Sequence, residues 1–288
     1  MAPFKKGIAV VGSTTIDEIV DNGRRICKMG GVTTYAGLTY RRHGIRTLAV
    51  SNLAEQDLHL LDKLKAEKIA VCRGNSTCTT HFVNYIRGDE RSQKLLLQAD
   101  TIQAAQIRAI LDQVDGLHLG PLHPGDIEWD AVNLSNSPEL KIFIDVQGLT
   151  RKIDNKRIST SVSVHMDRAL EIADIVKANG AEYRGVLDFY RITSSELMRR
   201  FHLQEIVVTL GAKGGFVQKP DGTAIHYPAF GIGSGVDPTG AGDVFFAAYV
   251  VSRLAAGKDI LAACRHAAGI ASRQVAGRYI AAGTLQLG

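Results

Sequence analysis

The chain has 288 residues, 45% of them hydrophobic and 22% charged, which is ordinary for a globular protein long enough to bury a substantial core. Its formal charge of +5 comes from scattered pairs (Lys5-Lys6, Arg24-Arg25, Arg41-Arg42, Arg199-Arg200) with no basic stripe interleaved with aromatics, so a nucleic-acid partner is not expected and a small anionic ligand is. No apolar run approaches the ~20 residues of a membrane helix; "VFFAAYVV" has eight, and no membrane partner is expected.

Lys5 and Lys6 precede an apolar run of only four residues, Ile8 to Val11, which is too short for a secretion signal and suits a first β-strand. The expected location is the cytoplasm. Further β-type runs follow: "RTLAVS", "KIAVC", "GLHLG", "KIFIDV", "IADIVKAN" and "EIVVTLG". Several are apolar on both faces, as strands of a parallel sheet covered by helices should be. Helical patterns lie between them at Thr33 to His43, Glu55 to Glu67 and Ala104 to Val114. The alternation predicts one doubly wound α/β domain over residues 1–288, with a mostly parallel sheet and helices on both faces. Ligands of such sheets bind beyond the C-terminal strand ends.

Two segments, about 13–31 and 76–98, break this rhythm with short alternating strands and polar turns, notably "TTHFVNYIRGDERSQKLLLQ". They predict a small β lid built from two insertions and projecting over the ligand end, where it would exclude water. A surface hairpin without a gating role is the plain alternative. Cys27, Cys72, Cys78 and Cys264 match no zinc or redox spacing and read as reduced thiols. His118 and His123, five apart on a Gly/Pro-rich stretch, do not have a metal-ligand spacing and are expected to be structural or solvent-exposed.

The stretch "DPTGAGD", residues 237–243, runs directly into the apolar "VFFAAYVV". Glycine in a helix costs roughly 1 kcal/mol relative to alanine, so this turn needs bare backbone for another reason. The first N–H groups of a helix have no internal acceptor and sit at the positive end of its dipole. Small residues at Gly240, Ala241 and Gly242 let an anion reach them, as at a phosphate site. A carboxylate would repel phosphate, but Asp243 could accept the proton of an alcohol attacking a phosphoryl group. An acid that only stabilises the first helical turn is the other reading. Neither G-x-x-x-x-G-K-[ST] nor G-x-G-x-x-G occurs at this turn.

"DPTGAGDVFFAAYV" closely resembles the C-terminal motif of the ribokinase-like (PfkB) family of carbohydrate kinases, and the likeness extends over nearly the whole chain. "VVGSTTIDEIV" resembles the family's first strand, which implies a substrate-binding role for Asp17. "GGVTTYAGLTYRRHG" resembles its di-glycine stretch and places Gly30 and Gly31 on the substrate side. "NGAE" matches the family's N-x-x-E, implying that Asn179 and Glu182 lie near Mg²⁺ and the phosphates, with Glu182 toward the metal. "VVTLGAKGG" resembles its nucleotide loop and implies that Thr209, Gly211 and Gly214 meet ATP, with Ala268 near the base. Asn179 and Glu182 also follow an apolar strand, and Asp17 is a carboxylate in an otherwise apolar segment, where it needs partners.

Two positions depart from many sugar kinases of this family: Tyr35 and Thr15 stand where those carry Asn. Tyr35 could stack on an acceptor ring or donate one hydrogen bond, or it could be a packing residue of the helix. After a central strand, "DVQGLTR" supplies Asp145, Gln147 and Arg151 near the acceptor, and this stretch and "LGPLHPGDI" look similar to members acting on inositol. The expectation is an ATP- and Mg²⁺-dependent transfer of the γ-phosphoryl group to a sugar or polyol, with inositol-like acceptors favoured. A nucleoside kinase, or a catalytically silent sugar- or nucleotide-binding protein on the same fold, stands as the alternative. The resemblance also implies a homodimer through the lid.

Overall fold

The structure is a computed structural model that describes residues 4–21, 23–87, 90–129, 139–230, 238–281 and 284–285. In chain order the elements begin β1 (Ile8–Val11), β2 (Thr15–Asp21), β3 (Arg24–Gly30), α1 (Val32–Arg42), β4 (Thr47–Ala54), α2 (Asp62–Ala66), β5 (Ala70–Ser76), β6 (Thr80–Arg87) and β7 (Glu90–Leu97). There follow α3 (Ala104–Arg108), β8 (Gly116–Leu119), β9 (Lys141–Asp145), β10 (Arg151–Asp154), β11 (Arg157–Thr160), α4 (Met166–Ile172) and β12 (Ile175–Asn179). The last are α5 (Gly180–Tyr190), α6 (Ser194–Arg200), β13 (Glu205–Thr209), β14 (Gly215–Gln218), β15 (Ala224–Tyr227), α7 (Ala241–Val250), α8 (Ile260–Val275) and β16 (Thr284–Leu285).

Nine strands form the main sheet in the order β15-β14-β13-β12-β9-β8-β1-β4-β5. The seven from β13 to β5 are parallel, and β14 and β15 add an antiparallel hairpin at one edge. Alternation along each strand sends side chains to both faces. Ile8, Val10, Phe143 and Val207 pack under α1, α7 and α8, whereas Val11, Leu119, Ile144 and Val208 pack under α3 to α6. Two apolar layers explain why the runs read as continuous rather than alternating. Among the described residues no helix is long and apolar enough to cross a membrane, and all four cysteine thiols are free.

A second sheet of seven strands has the order β10-β11-β7-β6-β2-β3-β16. The segments 13–31 and 76–98 supply four of these strands. The other three come from a third hairpin, β10–β11, and from the C-terminal β16. The hairpin turns at Asn155 and Lys156, both in the left-handed region (φ 46° and 66°). That two-residue turn matches strand twist, and the asparagine was its sequence signal.

Two helical expectations are corrected. Residues 55–61 form a 3₁₀ helix that joins the short α2, and α3 ends at Arg108 before a 3₁₀ turn over Leu111–Gln113. Ala54 has no side chain to cap the first amides, and the tighter turn serves them instead. The buried Ile107 and Ile110 lie three apart, the repeat of a 3₁₀ turn.

His118 and His123 are buried rather than solvent-exposed. His118 sits between the Tyr40 hydroxyl, 2.9 Å from Nδ1, and the Phe246 ring. Burial pushes its pKa down from 6.5 to about 4. The unfolded chain therefore takes up this proton first, and stability present above pH 6.5 is lost as the pH falls toward 4, by roughly 3 kcal/mol. Between pH 7.5 and pH 5, urea denaturation should show the wild type losing about 2 kcal/mol relative to His118→Asn, which keeps an acceptor for Tyr40 and cannot titrate.

Candidate active site

A cavity of about 680 Å³ opens between the C-terminal ends of the main-sheet strands and the inner face of the second sheet. Asp17, Gly31, Tyr35, Gln147, Arg151 and Asn179 line it, together with Gly240, Gly242 and Asp243. A second cavity of about 320 Å³ lies against α8 and is lined by Thr209, Gly211, Gly214, Ala241 and Ala268 among mostly apolar neighbours. Pro238 and Gly242 line both, so the two spaces meet at the glycine turn. Asp237, the first residue of the quoted stretch, lies outside the described residues.

The turn explains its own glycines. Gly240 caps α7 in the left-handed conformation (φ 72°), and a Cβ there would lie 2.2 Å from the Tyr35 ring. Tyr35 is thus a buried packing residue that shapes the turn from the cavity side. At Gly242 a Cβ would come within 3.0 Å of the Lys177 ammonium. The bare backbone lets an aromatic ring and a cation press against the helix start. Ala241 is set apart, because its N–H already donates to the Pro238 carbonyl at 3.0 Å. By position, the helix amides of Gly242 and Asp243 are those without an intrahelical acceptor.

Lys177 was not among the site residues expected from sequence, whereas Asp145 was expected near the acceptor. They occupy paired positions on the neighbouring strands β12 and β9, and Nζ lies 2.8 Å from Oδ2. Both are about 95% buried, with side-chain exposures of 5% and 6%. Asp145 and Glu182 hold the Lys177 pKa above its ordinary value despite burial, so it is an ammonium. The signal was available in two opposite charges, each within an apolar run.

Burial pushes the Asp243 carboxyl up to about 7, and repulsion from Asp145 and Asp17 adds to this against the pull of Lys177 and Arg151. Arg151, at the start of β10, donates to the Leu122 carbonyl (2.9 Å) and lies over the Phe82 ring. Burial lowers its pKa, and Glu182, Asp145, Asp243 and Asp17 raise it. Asp17 accepts from the Thr15 hydroxyl at 2.8 Å. Gly30 makes room for that carboxylate, since a Cβ would lie 2.1 Å from Asp17 Oδ2. The Gln147 amide donates to Asp145 Oδ1 at 3.1 Å.

Asn179 and Glu182 form a reciprocal cap on α5. Asn179 Oδ1 accepts from the amides of Ala181 and Glu182, and Glu182 Oε2 accepts from the Asn179 amide at 2.7 Å. The Asn179 side-chain NH₂ and the second Glu182 oxygen lie outside that cap. Burial pushes the Glu182 carboxyl up, against the pull of Lys177. Among the described residues no group of three His, Cys, Asp or Glu could hold a metal ion by itself.

Residues 42–283 match the model of the pfkB family of carbohydrate kinases. No curated protein sequence matches the chain. Solved structures do. One is a pyrophosphate-dependent kinase of the ribokinase family complexed with a pyrophosphate analog and myo-inositol (TM-score 0.81, 21% identity, 97% of each chain covered). Another is a nucleoside kinase of Methanocaldococcus jannaschii (TM-score 0.75, 17% identity, 95% of this chain and 93% of that one). A third is ribokinase of Arabidopsis thaliana with ribose and ATP (TM-score 0.70, 22% identity, 96% and 93%).

Proposed function

The chain belongs to the pfkB family of carbohydrate kinases and is a phosphotransferase with a hydroxyl acceptor; from that premise we propose that it moves the γ-phosphoryl group of ATP to a small sugar or polyol, inositol-like in shape. The observation that carries this reading is the meeting of two unlike cavities at one turn. The polar cavity suits a hydroxylated acceptor, and the apolar cavity beside Ala268 and Phe245 suits a nucleobase.

In this reading Asp17 accepts hydrogen bonds from acceptor hydroxyls and orients the nucleophile, with Gln147 and Arg151 around it. Asp243 takes the proton of the attacking hydroxyl. The free amides at the start of α7, next to Gly240, and the Lys177 ammonium stabilise charge on the transferring phosphoryl group. Thr209, Gly211 and Gly214 border the nucleotide. Asp17, Asp145, Glu182 and Asp243 face two cations, Lys177 and Arg151, so a divalent cation suits the charge balance. Mg²⁺, which keeps several waters when bound, would be held through the spare Glu182 oxygen beside Asn179 and would neutralise donor phosphates. The second sheet acts as a lid that keeps water from the phosphoryl group. The enzyme is placed in the cytoplasm, where ATP is supplied. A homodimer through the second sheet is a separate proposal, decided by sedimentation velocity of the pure chain.

The test is a panel of cyclic polyols, pentoses, hexoses and nucleosides, with ADP release followed from ATP and phosphate release from pyrophosphate. ATP with a polyol or sugar should give at least tenfold more ADP than ATP alone. Turnover with pyrophosphate and none with ATP would remove the nucleotide assignment. Binding without stimulated turnover by any alcohol would leave a silent binding protein.

A further inference from the structure

Gln274, in the last turn of α8, is 6% exposed and has both ends of its amide engaged. Nε2 donates to the Thr239 carbonyl at 3.4 Å, and Oε1 accepts from the Ile280 N–H at 2.8 Å. A carbonyl needs a donor and an N–H needs an acceptor, so these two partners fix the orientation of the amide. One buried side chain thus bridges the glycine turn and the C-terminal segment.

Thr239 stands immediately before Gly240, in the turn that the Ala241 N–H closes on the Pro238 carbonyl. That turn is held on two sides. Tyr35 backs Gly240 from the larger cavity, and Gln274 holds Thr239 from α8. The same helix presents Ala268, Ala271 and Val275 to the apolar cavity, whereas Gln274 lines neither cavity.

Beyond Gln274 the chain turns back toward the second sheet. Ile280 is buried in one cluster with Met29, Tyr35 and Val244, which come from β3, α1 and α7. Arg42 and Lys63 donate to the carbonyls of Tyr279 and Ala281. Farther on, β16 pairs with β3, with Thr284 opposite Lys28 and Leu285 opposite Cys27.

Resting on the kinase reading above, we infer that Gln274 is a positioning residue for phosphoryl transfer. It meets no reactant and sets the turn that presents the free amides of Gly242 and Asp243. Through Ile280 it also ties that turn to the segment leading into the second sheet. A turn displaced by about 1 Å carries Asp243 and both amides with it, which is enough to cost about 100-fold in rate.

The experiment compares the wild type with Gln274→Met, Gln274→Glu and Arg42→Met, using ATP and the acceptor that turns over fastest in the panel above. Rates are read at a temperature where circular dichroism shows every variant folded. Gln274→Met keeps the shape, loses both bonds and should lower kcat about 10- to 100-fold. Its KM for the acceptor and its calorimetric affinity for ATP should stay within about threefold of wild type. Exchange of the Ala241 amide, read by NMR, should quicken about tenfold.

The glutamate variant isolates the Thr239 bond. As a carboxylate it accepts from Ile280 and cannot donate to Thr239, whereas a neutral carboxyl, favoured by burial, does both. Its kcat relative to wild type should therefore be about tenfold higher at pH 6 than at pH 8. Arg42→Met loosens the C-terminal segment at Tyr279 without touching Gln274, and its kcat should match the wild type.

An unchanged kcat in Gln274→Met overturns the inference. So does a Gln274→Glu rate reduced by the same factor at both pH values, which would show that the Thr239 bond does not matter. A loss in Arg42→Met as large as that in Gln274→Met overturns it as well, because general loosening then explains both. Turnover by the wild type tests the kinase reading separately. If the wild type does not turn over, Ala241 exchange in Gln274→Met still decides whether Gln274 holds the turn.

Discussion

Replacing Asp243 with alanine is expected to lower kcat by about 100- to 10,000-fold, the range that a positioned general base contributes. The fold should survive, because the side chain lines a cavity rather than filling the core. ATP affinity should change little, since the base of the nucleotide would sit in the other cavity. Asp243→Asn preserves shape and removes basicity, so it should be as inactive as the alanine variant. Residual activity within tenfold of wild type in either variant would remove the base assignment.

The elevated pKa gives this prediction a second arm. A base must be unprotonated, and the free-enzyme carboxyl titrates at about 7. The kcat/KM for the acceptor should therefore fall tenfold per pH unit below that value and level off above it. The sign for stability is opposite. A carboxyl raised above its unfolded pKa favours the folded state fully at low pH, and that advantage is lost as the pH rises through about 7. Asp243→Asn should then be the more stable protein at pH 8, measured by urea denaturation. A site that holds a carboxylate where burial and two acids oppose its charge gives up stability for basicity.

Lys177→Met is expected to be the most destabilising of the substitutions proposed, by about 3–5 kcal/mol, because it leaves Asp145 buried and unpaired. Adding Asp145→Leu should return most of that stability, since an apolar pair can replace a buried ion pair at little net loss. The double variant separates structure from chemistry. If Lys177 contacts the transferring phosphoryl group, the restored fold should remain at least 100-fold impaired in kcat, consistent with losing one electrostatic donor. Turnover within threefold of wild type in the folded double variant would make the lysine purely structural.

Local features of the chain were legible because their physics is local. Apolar runs marked the parallel strands, turn residues marked where the rhythm broke, and glycines before an apolar run marked the start of α7. Asp243, read from that turn, and Asp17, Gln147, Arg151 and Asn179, placed by the family resemblance, fall around one cavity. The hairpin β10–β11 escaped because its apolar positions, Ile153 and Ile158, are too few to show a period.

The amino-acid sequence by itself determined the layered α/β architecture and the small-residue turn, since side-chain period and backbone freedom are properties of neighbouring residues. Only the tertiary structure decided that Tyr35 fills the space left by Gly240, that Lys177 meets Asp145, and that Asn84 joins Gln93 over the cavity. The first two contacts join residues far apart along the chain through strand order, and the third joins residues nine apart through the register of β6 against β7. The raised pKa of Asp243 belongs to the same class. It is set by burial and by charges on four strands, β2, β9, β10 and β12, and no pattern near position 243 encodes it.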